Sequence, residues 1–168
     1  MNGWLGKDGL HTQKRPRIPL LRFGLLAGLI SGTALGLAMK LLGNLTGTAI
    51  YVLLLNVDFI QWLPHPMTEL AEFALHLMVA LPLGILFLVL LRIWKSPLGL
   101  GLGMSLAIAC CTWIPLTQLS ERVPSSADTT ALLWWITGHL IYGAVLAGFG
   151  YLWIKKGWVK EWASPYIS

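Results

Sequence analysis

The sequence predicts an all-α membrane protein. Four transmembrane helices form two similar hairpins, and a short re-entrant or interfacial segment follows the first span. Three observations carry that expectation. The 168 residues are 56% hydrophobic and 11% charged, with a mean hydropathy of +0.70, whereas soluble domains carry about 25% charged residues. Four stretches reach the roughly 20 apolar residues that a bilayer crossing needs. The first of them carries Gly24, Gly28, Gly32 and Gly36 at four-residue spacing, continued by Lys40. Residues so spaced share one helix face. In water each such glycine costs about 1 kcal/mol relative to Ala, but in lipid small residues let a second helix approach closely.

Taken in order, residues 1–22 form a basic tail with Lys7, Lys14, Arg15, Arg17 and Arg22, and one transmembrane domain occupies 23–158. Its spans are expected at about 23–42, 70–94, 98–118 and 131–154, and residues 159–168 form a second tail. Too little chain remains for a separate soluble domain. Gly36-Leu37-Ala38 resembles a signal-peptidase site, but the apolar stretch before it is longer than a signal-peptide core. The first span is therefore read as retained.

Residues 48–63 are apolar but short, and Asn56, Asp58 and Gln61 interrupt them. A fifth span there would place Arg92, Lys95 and the basic carboxyl end outside, against the preference for cytoplasmic Lys and Arg. Pro64-His65-Pro66 ends the segment.

Orientation follows from charge. Ten of the twelve Lys and Arg lie before the first span, between the second and third, or after the fourth, while the other two connections hold Asp58, Glu69, Glu72, Glu121 and Asp128 with Arg122. Both termini are thus expected in the cytoplasm. The net charge of +5 is an orientation signal, and no folded basic domain accompanies it to bind nucleic acid. Lys14-Arg15-Pro16-Arg17 is suited to anionic lipid. Trp62, Trp134 and Trp135 are expected at the outer interface, and Trp94, Trp153 and Trp158 at the inner one.

The glycine row has an echo. Gly99, Gly103, Ala107 and Cys111 match it at a shift of 75 residues. The rows His76-Ala80-Gly84 and His139-Gly143-Ala147 match at a shift of 63. Together they read as a parallel repeat of a two-helix hairpin, although small residues common in membrane spans also align by accident. In both cases the small faces are expected to pack inside one bundle, with contact between copies as the alternative. Cys110 and Cys111 read as small packing residues, and Pro82 and Pro115 as ordinary membrane-helix prolines.

The stretches Arg22 to Gly32, Gly99-Leu100-Gly101-Leu102-Gly103 leading to Ile114-Pro115-Leu116, and Gly138-His139-Leu140-Ile141-Tyr142-Gly143 resemble the spans of the YagU-like family. The resemblance covers the four spans and not the connection 44–68. It implies a small multi-pass bacterial inner-membrane protein and brings no reaction, cofactor or ligand with it.

Polar residues within or beside spans are the functional candidates. Lys40, Glu69, Glu72, His76 and His139 are expected near the outer interface, with Glu72 and His76 on one face. A Lys40–Glu72 pair beside two histidines would be proton-sensitive, because His titrates near neutral pH. Each residue also has a plainer reading. Lys40 snorkels to headgroups, the glutamates occupy a solvated first helical turn, and the histidines bridge helices by hydrogen bonds. A zinc site from Glu72, His76, His139 and His65 has no dense ligand motif behind it, and no metal or cofactor is expected.

Three functions follow in order. The first is a non-enzymatic structural or interaction protein of the membrane or stress physiology, whose partners are the bilayer and a second copy or another membrane protein. The second is a proton- or ion-linked transport or channel component. The last is an enzyme with Glu72 as base, which no phosphate loop, nucleophile elbow or metal motif supports.

Overall fold

A computed structural model describes residues 20–64 and 66–157. The tail before residue 20, His65, and residues 158–168, with Trp158 and Lys160, lie outside the described residues. Five helices follow in order: α1 (Leu20–Thr46), α2 (Ile50–Leu55), α3 (Glu69–Leu90), α4 (Pro97–Thr117) and α5 (Thr129–Lys155). Four of them are long and apolar enough to span a membrane, so the protein is a multi-pass membrane protein. α1 extends beyond its expected span at both ends, and α3 stops at Leu90, leaving Trp94 in the following turn.

Local chemistry sets the boundaries. The Thr68, Ser96 and Asp128 side chains accept hydrogen bonds from the backbone N–H of Ala71, Gly99 and Ala131, capping α3, α4 and α5. Pro97 opens α4 at a position that needs no N–H donor. Gly47, at φ 71°, makes the turn from α1 into α2. α2 is only six residues long and folds back on the bundle, burying Ile50, Leu53 and Leu55.

The long helices pair as α1 with α3 and α4 with α5, and α5 joins the two hairpins by packing on α1. The α1 glycine row seats α3. A methyl group on Gly28 would strike the Ala80 carbonyl oxygen and lie 2.8 Å from Leu81 Cα. One on Gly84 would strike the Gly24 carbonyl oxygen and the Gly28 amide. Gly36 makes room for the Phe73 ring. Between the hairpins, Gly138 admits the Met39 thioether.

The second hairpin uses a different register from the one expected. Gly99, Gly103, Ala107 and Cys111 are all exposed, and nothing lies within 4 Å of a methyl group added at Gly103. The buried row is Pro97, Gly101, Ser105, Ala109, Trp113 and Thr117. Gly101 lies against the Gly143 carbonyl and Ala147, and Gly143 against the Ser105 hydroxyl. The correspondence with α1 is therefore a shift of 77 residues, pairing Gly24 with Gly101 and Gly28 with Ser105. An apolar helix in lipid has two apolar faces, so glycine spacing alone did not reveal which one turns inward. Cys110 and Cys111 lie on the exposed side rather than in a packing seam.

The tryptophans divide by exposure. Trp62 and Trp94 are exposed near the ends of the bundle, whereas Trp135 and Trp153 are core residues. Trp135 donates from its ring to the Ala109 carbonyl at 3.1 Å, and Trp153 stacks near Phe23 with ring centroids 5.2 Å apart.

Candidate functional site

The helix ends that the charge pattern assigns to the outer side are tied together by polar contacts. Lys40 pairs with Glu69 at 2.5 Å, not with Glu72 as the spacing suggested. Tyr51 on α2 donates to the same Glu69 oxygen at 2.9 Å, and the Lys40 ammonium lies 5.3 Å from the Tyr51 ring centroid. Partial burial, the Glu69 hydrogen bond and the charges of Glu69 and Glu72 push the Tyr51 hydroxyl up to about 12. Glu69 begins α3 and Glu72 lies one turn later. α2 brings the Tyr51 hydroxyl to Glu69, the carboxylate that Lys40 takes.

A second tie joins the two outer connections. Arg122 binds Asp58 through two nitrogens, at 3.0 Å and 2.5 Å, and Ser120 donates to Asp58 at 2.9 Å. This fork geometry is the strong form of an arginine–carboxylate pair. It raises the Arg122 pKa, first through the hydrogen bond and then through the charge of Asp58. Trp113 fixes the same connection by donating to the Ser126 carbonyl at 3.2 Å.

The histidines form a deeper tier. His76 Nε2 lies 3.1 Å from the carbonyl of Gly32, eight residues before Lys40 on α1. Eight residues of helix correspond to about 12 Å of depth. The expected cluster at a single depth is thus divided into an exposed pair, Lys40 and Glu69, and a deeper pair, the half-buried His76 and the buried His139. His139 Nδ1 lies 2.9 Å from the Trp135 carbonyl of its own helix. A carbonyl only accepts, so in both rings the nitrogen facing it carries the proton. A singly protonated ring then keeps its other nitrogen as an acceptor: Nδ1 in His76 and Nε2 in His139.

Both histidines line a cavity of about 410 Å³ that the sequence did not reveal. Its walls come from the outer halves of α3 and α4, from Met78, Val79 and Leu83 across to Ile108 and Thr112. α2 and the chain through Ile60 roof it, and Trp135, His139 and Tyr142 line it from α5. The cavity exists because neither α3 nor α4 turns a small-residue row toward the other. Each spends its row on its hairpin partner. At the inner end the gap closes where Phe87 and Pro97 pack over Gly150. Met78 and Val79 are exposed, so the mouth lies on the lipid side between α3 and α4.

Two polar atoms in this cavity stand out, one of them on Asn56, which its place in the segment after the first span allowed to reach the cluster. The Tyr142 hydroxyl and Asn56 Nδ2 are buried without a hydrogen-bond partner. Tyr142 sits near Ser31, whose hydroxyl gives its proton to the Ala27 carbonyl, and no hydrogen bond of normal geometry joins the two side chains. The available signal was the position of Tyr142, three residues after His139 on one helix face. Glu72 lines both this cavity and a recess formed by Asp58, Pro66, Met67 and Arg122. Among the described residues, no group of three or more His, Cys, Asp or Glu is placed to hold a metal ion.

No family model, curated protein or solved structure matches this chain.

Proposed function

We propose that this chain is a non-enzymatic structural or interaction protein of the bacterial cytoplasmic (inner) membrane, with both termini in the cytoplasm, and that it is a member of the YagU-like family. Association with a second copy or another membrane protein belongs to the same reading, as does a role in membrane or stress physiology. One observation carries it. The polar groups of the outer half have no continuation through the inner half, where Phe23, Ala27, Phe87, Leu88, Leu91, Leu100, Leu146 and Trp153 form a closed apolar core. Ions and protons need polar groups or water along their route, and among the described residues the buried polar side chains stop at Ser31, Ser105 and Tyr142, near the middle of the bundle. Helix packing through the glycine row supports the structural part, because Gly24, Gly28 and Gly84 meet backbone atoms of the facing helix. The orientation is supported by Arg92, Lys95, Lys155 and Lys156 at one end of the bundle and Asp58, Glu69, Glu121 and Asp128 at the other.

Transport is the second reading, and Glu72 favours it by bordering both the outer recess and the histidine cavity. Purified protein in proteoliposomes distinguishes the two. No pH-gradient-driven proton or cation flux above empty vesicles is expected, and flux abolished by His76→Ala or His139→Ala would replace the first reading with the second. Cysteines introduced at Ser125 and Lys95 should react with a charged thiol reagent from the outer and inner face, respectively. The opposite pattern would reverse the orientation.

A further inference from the structure

The cavity between α3 and α4 is apolar over most of its wall, yet it contains unsatisfied polar atoms. Trp135 has spent its donor on Ala109 and Thr112 has spent its own on Ile108. His76 and His139 each retain one ring acceptor after binding a backbone carbonyl. Tyr142, 2% exposed, retains a hydroxyl that both donates and accepts, and Asn56, 5% exposed, retains an amide donor beside an oxygen that accepts from the Asp58 amide. A buried polar group without a partner costs roughly 1–3 kcal/mol. A native bundle holding two of them beside free imidazole acceptors is therefore complementary to something that supplies the missing hydrogen bonds.

The chemistry of that occupant follows from the wall. A hydroxyl meets both needs at once, donating to an imidazole nitrogen and accepting from Tyr142. A carboxylate would find no cation among the cavity-lining residues and would meet the acidic Glu72. A cation would find one carboxylate, Glu72, a helical turn from His76 at the edge of the cavity, but it has no acceptor to offer the Tyr142 hydroxyl proton or the Asn56 amide. The space of about 410 Å³ is at the small end for ligand pockets, which run from about 300 to 1,000 Å³. It accommodates one ring or a short chain and not a whole phospholipid. With Met78 and Val79 at the mouth, the remainder of a longer molecule would extend into the bilayer. The geometry points to a binding site for a neutral, membrane-dissolved molecule bearing a hydroxyl, with its head between His76, His139 and Tyr142 and its apolar body leaving between α3 and α4.

This site goes beyond the structural role proposed above and does not depend on it, since a flux measurement decides that reading and a binding measurement decides this one. Para-hexylphenol and para-hexyltoluene differ by the hydroxyl alone and para-hexylbenzoate carries a charge, so the three separate the arguments. Their binding is measured by equilibrium dialysis against the whole protein in lipid nanodiscs, with empty nanodiscs subtracting partition into lipid. The phenol should bind about tenfold more tightly than the toluene, the gain of roughly one hydrogen bond in a site closed to water. The benzoate should bind no better than to empty discs. Tyr142→Phe, which keeps the ring, should reduce phenol binding several-fold and leave toluene binding unchanged. Val79→Trp, at an exposed position of the mouth, should weaken both. Circular dichroism and the elution volume of each variant establish that it is folded. Equal binding of phenol and toluene, as expected if ordered water satisfies these atoms, overturns the proposal. So does phenol binding that Tyr142→Phe and Val79→Trp leave intact.

Discussion

Alanine at position 28 should open the α1–α3 seam, whereas alanine at position 103 should leave the bundle as stable as before. The new methyl carbon at position 28 would lie 2.8 Å from Leu81 Cα and nearer still to the Ala80 carbonyl oxygen. Carbon atoms prefer separations of about 3.5–4.0 Å, and both obstacles are backbone, so no side-chain rotation relieves them. The helices must part by roughly 1 Å, which forfeits about a quarter to a half of the dispersion energy of the facing contacts. Overpacking of this kind costs about 1–3 kcal/mol. In lipid the loss is felt fully, because packing rather than water exclusion holds membrane helices together. At position 103 nothing lies within 4 Å, and alanine is the better helix former by up to about 1 kcal/mol. Reversible unfolding in mixed micelles of increasing dodecyl sulfate content, followed by circular dichroism, measures both. A Gly103→Ala protein as destabilised as Gly28→Ala would refute the assignment of the inward face of α4.

Trp135→Phe removes the donor to Ala109 while retaining an aromatic ring in the α4–α5 seam, and should lower stability in the same assay by about 1 kcal/mol. Arg122→Ala breaks the fork to Asp58 that ties the outer connections together, so protease cleavage within 56–68 should accelerate, and added salt should narrow the difference from wild type because Arg122 is exposed. Tyr51 holds its proton up to about 12 in the folded protein, above its ordinary value of 10.0. Its contribution is therefore complete below pH 10 and disappears as pH rises through 12, and the alkaline loss of stability in that window should be shallower in Tyr51→Phe.

The span count and the hairpin order were legible because hydropathy responds to length and composition, which the bilayer imposes on every helix alike. The α1 seam was legible too, since four glycines leave that face little else to do. What hydropathy cannot report is which face of a uniformly apolar helix meets protein. On α4 the inward face is marked by Ser105 and Thr117 in the same four-residue row as Gly101, and that mixture of small and polar residues was a better guide than the count of glycines. The partner of Lys40 was not legible from spacing, and α2 brings the Tyr51 hydroxyl to that same Glu69. The cavity was out of reach for a different reason. It arises from the divergence of two helices that are adjacent in sequence, and no local pattern encodes a contact that is not made.

The pairing of α1 with α3 and α4 with α5 bears on how the chain enters its membrane. The seam of the first hairpin is complete once residue 90 has been inserted, before any of α4 is available. The second hairpin closes its own seam in the same way, and the late event is the docking of α5 along α1, where the Met39 side chain enters the notch left by Gly138. Biogenesis thus divides into two local zippering steps and one joining step. A bulky residue at Gly138 would leave two formed hairpins that fail to meet, a defect of assembly rather than of insertion.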